Sequence, residues 1–597
     1  MKTHRKRAVL SVSKSTVIGF LSLISFPFLF CTALGDSEQP NYCVGIRGNG
    51  ELIAAHWPAM ARMIEELGMP QAIAGGSSGS ITTFLVESVA LNPDLALISD
   101  PVERRQRQSL LIKSMPFYLQ VLAHHSRAAS GFEFLNGLTN QGSEIAQILM
   151  RYLSSASGAN PSDKNFTQDL VEALEKYGPL LNPEILRGLE RHPAHFQKAA
   201  LESLEVFGKF NATTDRDIFF RPGLIDFKYF ALLIGQIGDF YAANTPNEHR
   251  KKMLSFLDNC SKQGYSRHFT DISSSCQNEF SQLVDQYLAT PWSQYRNQRI
   301  FEPLGLGLSS FATTSIIKEE GKKKFTQMMS AYNAADQNID YSSYSINFDR
   351  DMAYGYWGQE NQLKKIQTGL DPFVQNGDLK SKKFLPLQSA NWFEVLSLSP
   401  AEPGLANIQN FIRNSSRESV LSELKKDREN RWVNLQYHKE YLSAGGWSDL
   451  HPTLILKAYG CENIVYLTRR NGESIFGQTV FIRLTGTQNQ IPFWKDLSLK
   501  NNQGWDVRGT EADNTPWNQL YNLGNKDSSF NRSLSEADAV YCTDWNSFNV
   551  FHGEMESMLR DSYGAPVLLR PGSLSKLQLN KIQEGLQIRG LQGCNSL

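Results

Sequence analysis

The pentapeptide Gly75-Gly76-Ser77-Ser78-Gly79 has the form Gly-x-Ser-x-Gly. A serine flanked by glycines at two residues on either side suits a nucleophile. The glycines leave room for a sharp strand-to-helix turn, and the turn lifts the hydroxyl clear of the backbone. Upstream lies a second glycine turn, Gly48-Asn49-Gly50. Backbone N–H groups in such a turn, with that of the residue after the serine, suit the oxyanion of a tetrahedral intermediate. Ser77 is therefore the candidate nucleophile, and Gly48, Asn49, Gly50 and Ser78 are the candidate oxyanion residues. The pentapeptide also fits a small-residue turn closing a Rossmann-like unit, in a chain that holds 43 Gly. A dinucleotide fingerprint fails at the first turn, because position 53, where the third glycine belongs, is Ile.

The flanking residues supply the elements that such a site needs. Val44 to Arg47 reads as a short apolar strand. From Glu51 to Leu67, Leu52, His56, Met60, Met63, Ile64 and Leu67 recur at helical spacing, and Gly68 suits the left-handed cap. Ala72 to Ala74 reads as a second strand, and Ile81 to Val89 as an apolar helix. That helix points its N-terminus at Ser77, where it favours developing negative charge.

A second informative stretch runs from Tyr441 to Arg469. A short strand is followed by Gly445-Gly446, then Pro452 in the first turn of a helix over Thr453 to Tyr459, then Gly460 as its cap. Asn463 to Leu467 reads as the next strand.

The two stretches together resemble the patatin-like phospholipase family, over about residues 43–95 and 430–470. Gly48-Asn49-Gly50, His56, Gly75 to Gly79, and Gly445-Gly446 with Pro452 stand at the family's motif positions. The resemblance implies an α/β fold, a three-layer sandwich around a mostly parallel sheet. It also implies hydrolysis of lipid acyl esters at a membrane surface by a Ser–Asp dyad, without metal or organic cofactor. Three positions depart from the pattern. Leu52 and Ile53 replace a basic residue and a glycine, and Ala444 occupies the place of the dyad Asp. Alanine accepts no proton, and a serine without a base is a weak nucleophile. Asp449 is a candidate relocated base, or else a cap for the Pro452 helix. His451 is a second candidate, or else a loop histidine. The base could also come from elsewhere in the chain. The alternative of another class is a catalytically inactive patatin-like module that binds lipid or protein, and an acyltransferase using the same serine is a third reading.

The chain has 597 residues, 41% hydrophobic and 20% charged, with zero formal net charge. That balance argues against nucleic acid as the main partner, and the sequence names no protein partner. Residues 1–35 read as an export signal, with a basic start, an apolar run over Val17 to Phe30 and Ala33-Leu34-Gly35 as cleavage site. The alternative is a membrane anchor over residues 17–33. Phe30 before Cys31 argues against a lipoprotein cysteine. Cys43, Cys260, Cys276, Cys461, Cys542 and Cys594 suffice for three disulfides in an oxidising compartment, with Cys260–Cys276 as the plausible local pair. No cysteine pair has zinc-ligand spacing.

Residues 43–95 and 431–480 are the expected halves of the core. Residues 96–430 form the expected long, mainly helical insertion, with amphipathic helices over Ser109–His125, Gly142–Ser154, Phe166–Tyr177 and Lys198–Phe207. Residues 481–597 are an extension packing on the core, with strand-like Ala537 to Cys542 and Val567 to Leu569. Asn-x-Ser/Thr sites at Asn165, Asn211, Asn259, Asn414 and Asn531 would accept glycans in a eukaryotic secretory route.

Overall fold

Strands covered on both faces lose the alternation of polar and apolar residues and read as continuous small or apolar runs. The centre of this fold is built from such strands. The computed structural model describes residues 41–48, 50–124, 217–219, 227–263, 269–290, 298–333, 345–347, 351–376, 383–387, 390–401, 409–410, 441–443, 452–469, 536–543, 555–565, 567–569 and 582. In chain order the first elements are β1 (Cys43–Ile46), α1 (His56–Leu67), β2 (Ala72–Gly76), α2 (Ser78–Ala90), α3 (Pro93–Ala96) and α4 (Pro101–His124). The middle holds β3 (Asp217–Phe219), α5 (Phe227–Tyr241), α6 (Asn247–Cys260), α7 (Ser274–Ala289), β4 (Ser309–Ile317), α8 (Glu319–Asn333), β5 (Ser345–Asn347), β6 (Met352–Trp357), α9 (Glu360–Asn376), β7 (Phe384–Leu387) and α10 (Trp392–Leu398). The last elements are β8 (Gln409–Asn410), β9 (Tyr441–Ser443), α11 (Pro452–Tyr459), β10 (Ile464–Arg469), β11 (Ala539–Thr543), α12 (Met555–Gly564) and β12 (Val567–Leu569).

The main sheet runs β12-β11-β10-β1-β2-β4-β6-β7, with β8 and β9 attached beside β4. From β11 to β4 every neighbouring pair is parallel. β6 and β12 run antiparallel to the strands they adjoin on the inner side. β1 lies between β10 and β2, so the strand order reverses at β1. Open α/β sheets form a crevice beyond the carboxyl ends of their strands at such a point.

Side chains from the two sheet faces enter different apolar cores. Val44, Ile46, Ile73, Val465 and Leu467 pack with residues of α1, α2, α4, α5 and α7. Cys43, Ala72, Ala74, Phe311 and Ile464 pack with residues of α9 and α11. The result is three layers, helices on both sides of a mostly parallel sheet, in accord with the α/β class.

The segment 96–430 differs from expectation. Its residues 309–317, 352–357 and 384–387 are β4, β6 and β7, and β4 pairs directly with β2. The central sheet therefore runs through the stretch expected to be an insertion. Strand β4 reads Ser-Ser-Phe-Ala-Thr-Thr-Ser-Ile-Ile, and Ser310, Thr313, Thr314 and Ser315 are buried within it. Buried hydroxyl residues mask a strand that hydrophobic patterning would otherwise reveal. Within the same segment α4 contains the expected helix from Ser109, while the three further helices expected over Gly142–Ser154, Phe166–Tyr177 and Lys198–Phe207 lie outside the described residues. β11 is an inner strand of the sheet, with β12 beyond it.

The C-terminal extension is fastened by buried polar groups. Glu65 on α1 accepts from Lys113 Nζ at 2.7 Å and from the Tyr563 hydroxyl at 2.9 Å. Arg62 donates to the carbonyls of Tyr563 and Ala565 at 3.2 and 3.0 Å. Burial pushes the Lys113 ammonium below its ordinary pKa, against the pull of Glu65. Burial together with the Glu65 charge pushes the Tyr563 phenol up.

Two disulfides are present among the described residues. Cys260–Cys276 joins α6 to α7 as expected, and Cys43–Cys461 joins the start of β1 to the turn before β10 across 418 residues. Such bonds persist in an oxidising compartment. Cys594 and residues 1–35 lie outside the described residues. Among the described residues, no helix is long and apolar enough to cross a membrane.

Candidate active site

Ser77 sits on the turn between β2 and α2, at the carboxyl end of a central parallel strand. Its backbone has φ 52° and ψ −127°, and among the described residues only Ala243 is another non-glycine with positive φ. An L side chain adopts that conformation at a cost, which surrounding structure must hold in place. Both flanking glycines are dictated by close approach. A Cβ on Gly75 would stand 2.5 Å from the Gly79 backbone, and a Cβ on Gly79 would stand 2.7 Å from the Ile46 carbonyl oxygen. The second contact also sets the start of α2 against the end of β1, where the upstream glycine turn begins.

The oxyanion candidates fall around this point. Gly48 follows β1, and Arg47 N–H still bonds the Leu467 carbonyl at 3.0 Å. Gly50 opens a 3-10 turn over Gly50–Ala55, so the expected helix from Glu51 starts tightly wound and becomes α-helical only at His56. Ser78 is the first residue of α2. Asn49 lies outside the described residues. His56 is buried, its Nδ1 3.0 Å from the Thr82 hydroxyl, and ties α1 to α2.

The local hydrogen bonds of Ser77 leave its peptide firmly held. Its N–H donates to Ser399 Oγ at 3.0 Å, and the Ser399 hydroxyl donates to the Thr313 carbonyl on β4 at 2.8 Å. The Ser77 carbonyl accepts from the Ser80 hydroxyl at 2.6 Å and from the Ser80 N–H at 3.0 Å. None of the described carboxylates or imidazoles hydrogen-bonds Ser77. Its own N–H is engaged by Ser399 and is not one of the oxyanion candidates. Ser399 and Thr313 carry no local motif, and sequence reasoning did not find them.

Residues 444–451, which include Ala444, Asp449 and His451, lie outside the described residues, but the strand leading into them is informative. Thr313 pairs with Gly76 on one edge of β4 and with Tyr356 on the other. Ser315 pairs with Tyr354 of β6 and with Ser443 of β9. Since β6 takes one edge throughout, β9 lies on the same edge as β2. There it runs antiparallel, with Ser443 two residues along β4 from the partner of Gly76. Two residues of strand span roughly 7 Å. β9 thus runs toward the end of β2 at which the Ser77 turn lies.

A buried ion pair anchors the helix behind the nucleophile. Glu87 on α2 pairs with Arg299, both fully buried, and accepts from the N–H groups of Gly305 and Leu306 at 3.0 and 3.1 Å. Arg299 also lies over the rings of Phe84 and Trp392. Among the described residues, no three of His, Cys, Asp and Glu converge as a metal site.

No protein-family model, curated protein or solved structure matches this chain. The functional reading therefore rests on the residues and their geometry.

Proposed function

We propose that this protein is a serine acyl-ester hydrolase acting on lipid esters, of phospholipid or lysophospholipid type, at a membrane surface. The observation that carries the reading is Ser77 at φ 52° on a strand-to-helix turn, with both flanking glycines required by packing. Strained serine turns of this kind present a nucleophile above the carboxyl ends of a parallel sheet. In the proposed reaction Ser77 Oγ attacks the ester carbonyl and loses its proton to a base. The oxyanion is held by the N–H of Ser78 and those of the turn at Gly48, Asn49 and Gly50. Collapse expels the alcohol and leaves an acyl-serine, which water then hydrolyses. The lipid substrate class comes from the patatin resemblance of the two glycine motifs. Asp449 is the proposed base, since the segment that holds it begins where β9 approaches the Ser77 turn. The same oxidising compartment that keeps the two disulfides fits export by the N-terminal segment.

One observation favours a second reading. Ala444 stands where the dyad acid belongs, which would leave a lipid- or protein-binding module without turnover. The test compares the purified chain with Ser77→Ala on a short-chain ester and on phospholipid vesicles. Hydrolysis that disappears with the hydroxyl supports the enzyme, and Asp449→Asn against His451→Gln then identifies the base. A folded, oxidised wild type with no turnover on either substrate overturns it in favour of the binding module.

A further inference from the structure

We infer that Ser399 is a positioning residue for the Ser77 nucleophile, an inference that deepens the esterase reading and rests on it. The parallel ladder between β2 and β4 reaches Gly76 and Thr313. Beyond Gly76 the chain turns sharply into α2, and the Ser77 N–H reaches the Thr313 carbonyl only through the Ser399 hydroxyl. That hydroxyl is spliced into the ladder: its proton goes to Thr313, and a lone pair is left to accept from Ser77. A hydroxyl can donate one bond and accept others, so the direction of this relay is set. It fixes the orientation of the peptide that precedes the strained residue, and with it the direction of the Ser77 side chain.

The residue is itself rigidly held. Ser399 is completely buried and follows α10, all seven residues of which are buried. The Ser399 N–H bonds the Val395 carbonyl at 2.8 Å, closing the last turn of α10. At the other end, Asn391 caps the helix through the Glu394 N–H at 3.0 Å, and the Trp392 N–H bonds the Glu302 carbonyl at 3.1 Å. Trp392 meets Phe84 of α2 edge-on, with centroids 5.2 Å apart. One short helix thus braces α2 along its side and the nucleophile at its start. Ser399 accepts from the Ser77 amide and gives its one proton to the Thr313 carbonyl, not to the Ser77 hydroxyl. Its contribution is geometric, and the proton of the nucleophile goes elsewhere.

Three variants test this on the full-length mature chain: Ser399→Ala, Ser399→Thr and, as reference, Ser77→Ala. Ser399→Ala should lower kcat on a soluble ester by about 10- to 100-fold, the cost of a small misplacement of a reacting group. KM should stay within about twofold, since substrate contacts are untouched. Ser399→Thr keeps the hydroxyl and should recover most of the loss. An unchanged kcat, a rise in KM alone, or no recovery in Ser399→Thr would overturn the inference. A second readout needs no turnover. Hydrogen exchange at the Ser77 amide should be at least about tenfold faster in Ser399→Ala, with the β1 amides unaffected. Equal protection would overturn the inference whether or not the protein is an enzyme. Loss of the esterase reading shows separately, as absent wild-type hydrolysis or hydrolysis that survives in Ser77→Ala. If Ser399→Ala does not fold, Ser399→Cys, a weak donor and acceptor of similar size, takes its place in both measurements.

Discussion

Replacing Ser77 by glycine should make the protein more stable than replacing it by alanine. The two variants lose the same hydroxyl and differ only in the Cβ, which at φ 52° and ψ −127° is held against its preference. A residue in a sparsely populated backbone region stores about 1–3 kcal/mol. Glycine returns about 0.4–1 kcal/mol of that through the greater freedom of its unfolded chain. The difference left is about 0–2.6 kcal/mol, roughly 1.3 at mid-range, in favour of Ser77→Gly. Ser77 is nearly buried and its Cβ small, so lost packing changes the figure little. Urea titration followed by tryptophan fluorescence, with refolding as a check on reversibility, measures the difference from the two midpoints. If Ser77→Gly unfolds at the same or a lower urea concentration than Ser77→Ala, the turn is not strained, and the principal support for a nucleophile there is gone.

Arg299→Met leaves the buried Glu87 carboxylate without its counter-ion and should destabilise the fold by about 3–5 kcal/mol. Thermal unfolding checks it, and a loss below about 1 kcal/mol would show that the Gly305 and Leu306 N–H groups, with the Trp392 indole N–H, satisfy Glu87 without Arg299. On the proposed reading, Ala444→Asp supplies the acid that the patatin pattern has at this position and should raise ester turnover by at least about 10-fold, within the range that a general base supplies. Steady-state kinetics with Ser77→Ala as blank reads the change, and an unaltered rate means that the base already acts from another place. Burial pushes the Tyr42 and Tyr241 phenols well above their ordinary value of 10.0. The folded form keeps them protonated, so this stabilisation is complete below pH 10 and is lost as pH rises above it. Exposed phenols ionise near pH 10 with the fold intact, so a later group of phenols should ionise only together with loss of near-UV circular dichroism, and ionisation of every phenol in an intact fold would refute it.

What the sequence made legible was local. The Ser77 turn, the two flanking strands, the Pro452 helix and the Cys260–Cys276 pair each follow from residues within a few positions of one another. Their causes are turn sterics, helical periodicity and short loop closure. The features that escaped arise from long-range packing. Ser399 is 322 residues from Ser77, and a lone serine after an apolar helix gives no sign of the amide it will meet. Strand β4 escaped because Ser and Thr fill a doubly covered strand that is expected to be Val- and Ile-rich. The Cys43–Cys461 bond escaped because six cysteines leave connectivity open. His56 was read within an apolar helical stripe, and its hydrogen bond to Thr82 shows how a polar side chain is accommodated there.

The Cys43–Cys461 bond has a consequence for biosynthesis. β1 leaves the ribosome early, yet its neighbour β10 and its cysteine partner follow only after 418 further residues. At translation rates of 5–20 residues per second, that interval is roughly 20–80 s. Throughout it, β1 has one unpaired edge in a chain whose sheet cannot close, and Cys43 lacks its native partner. The newly made chain thus needs protection of an apolar strand edge for about a minute, and closure of the Cys43–Cys461 bond reports that the parallel β1–β10 pairing has been reached.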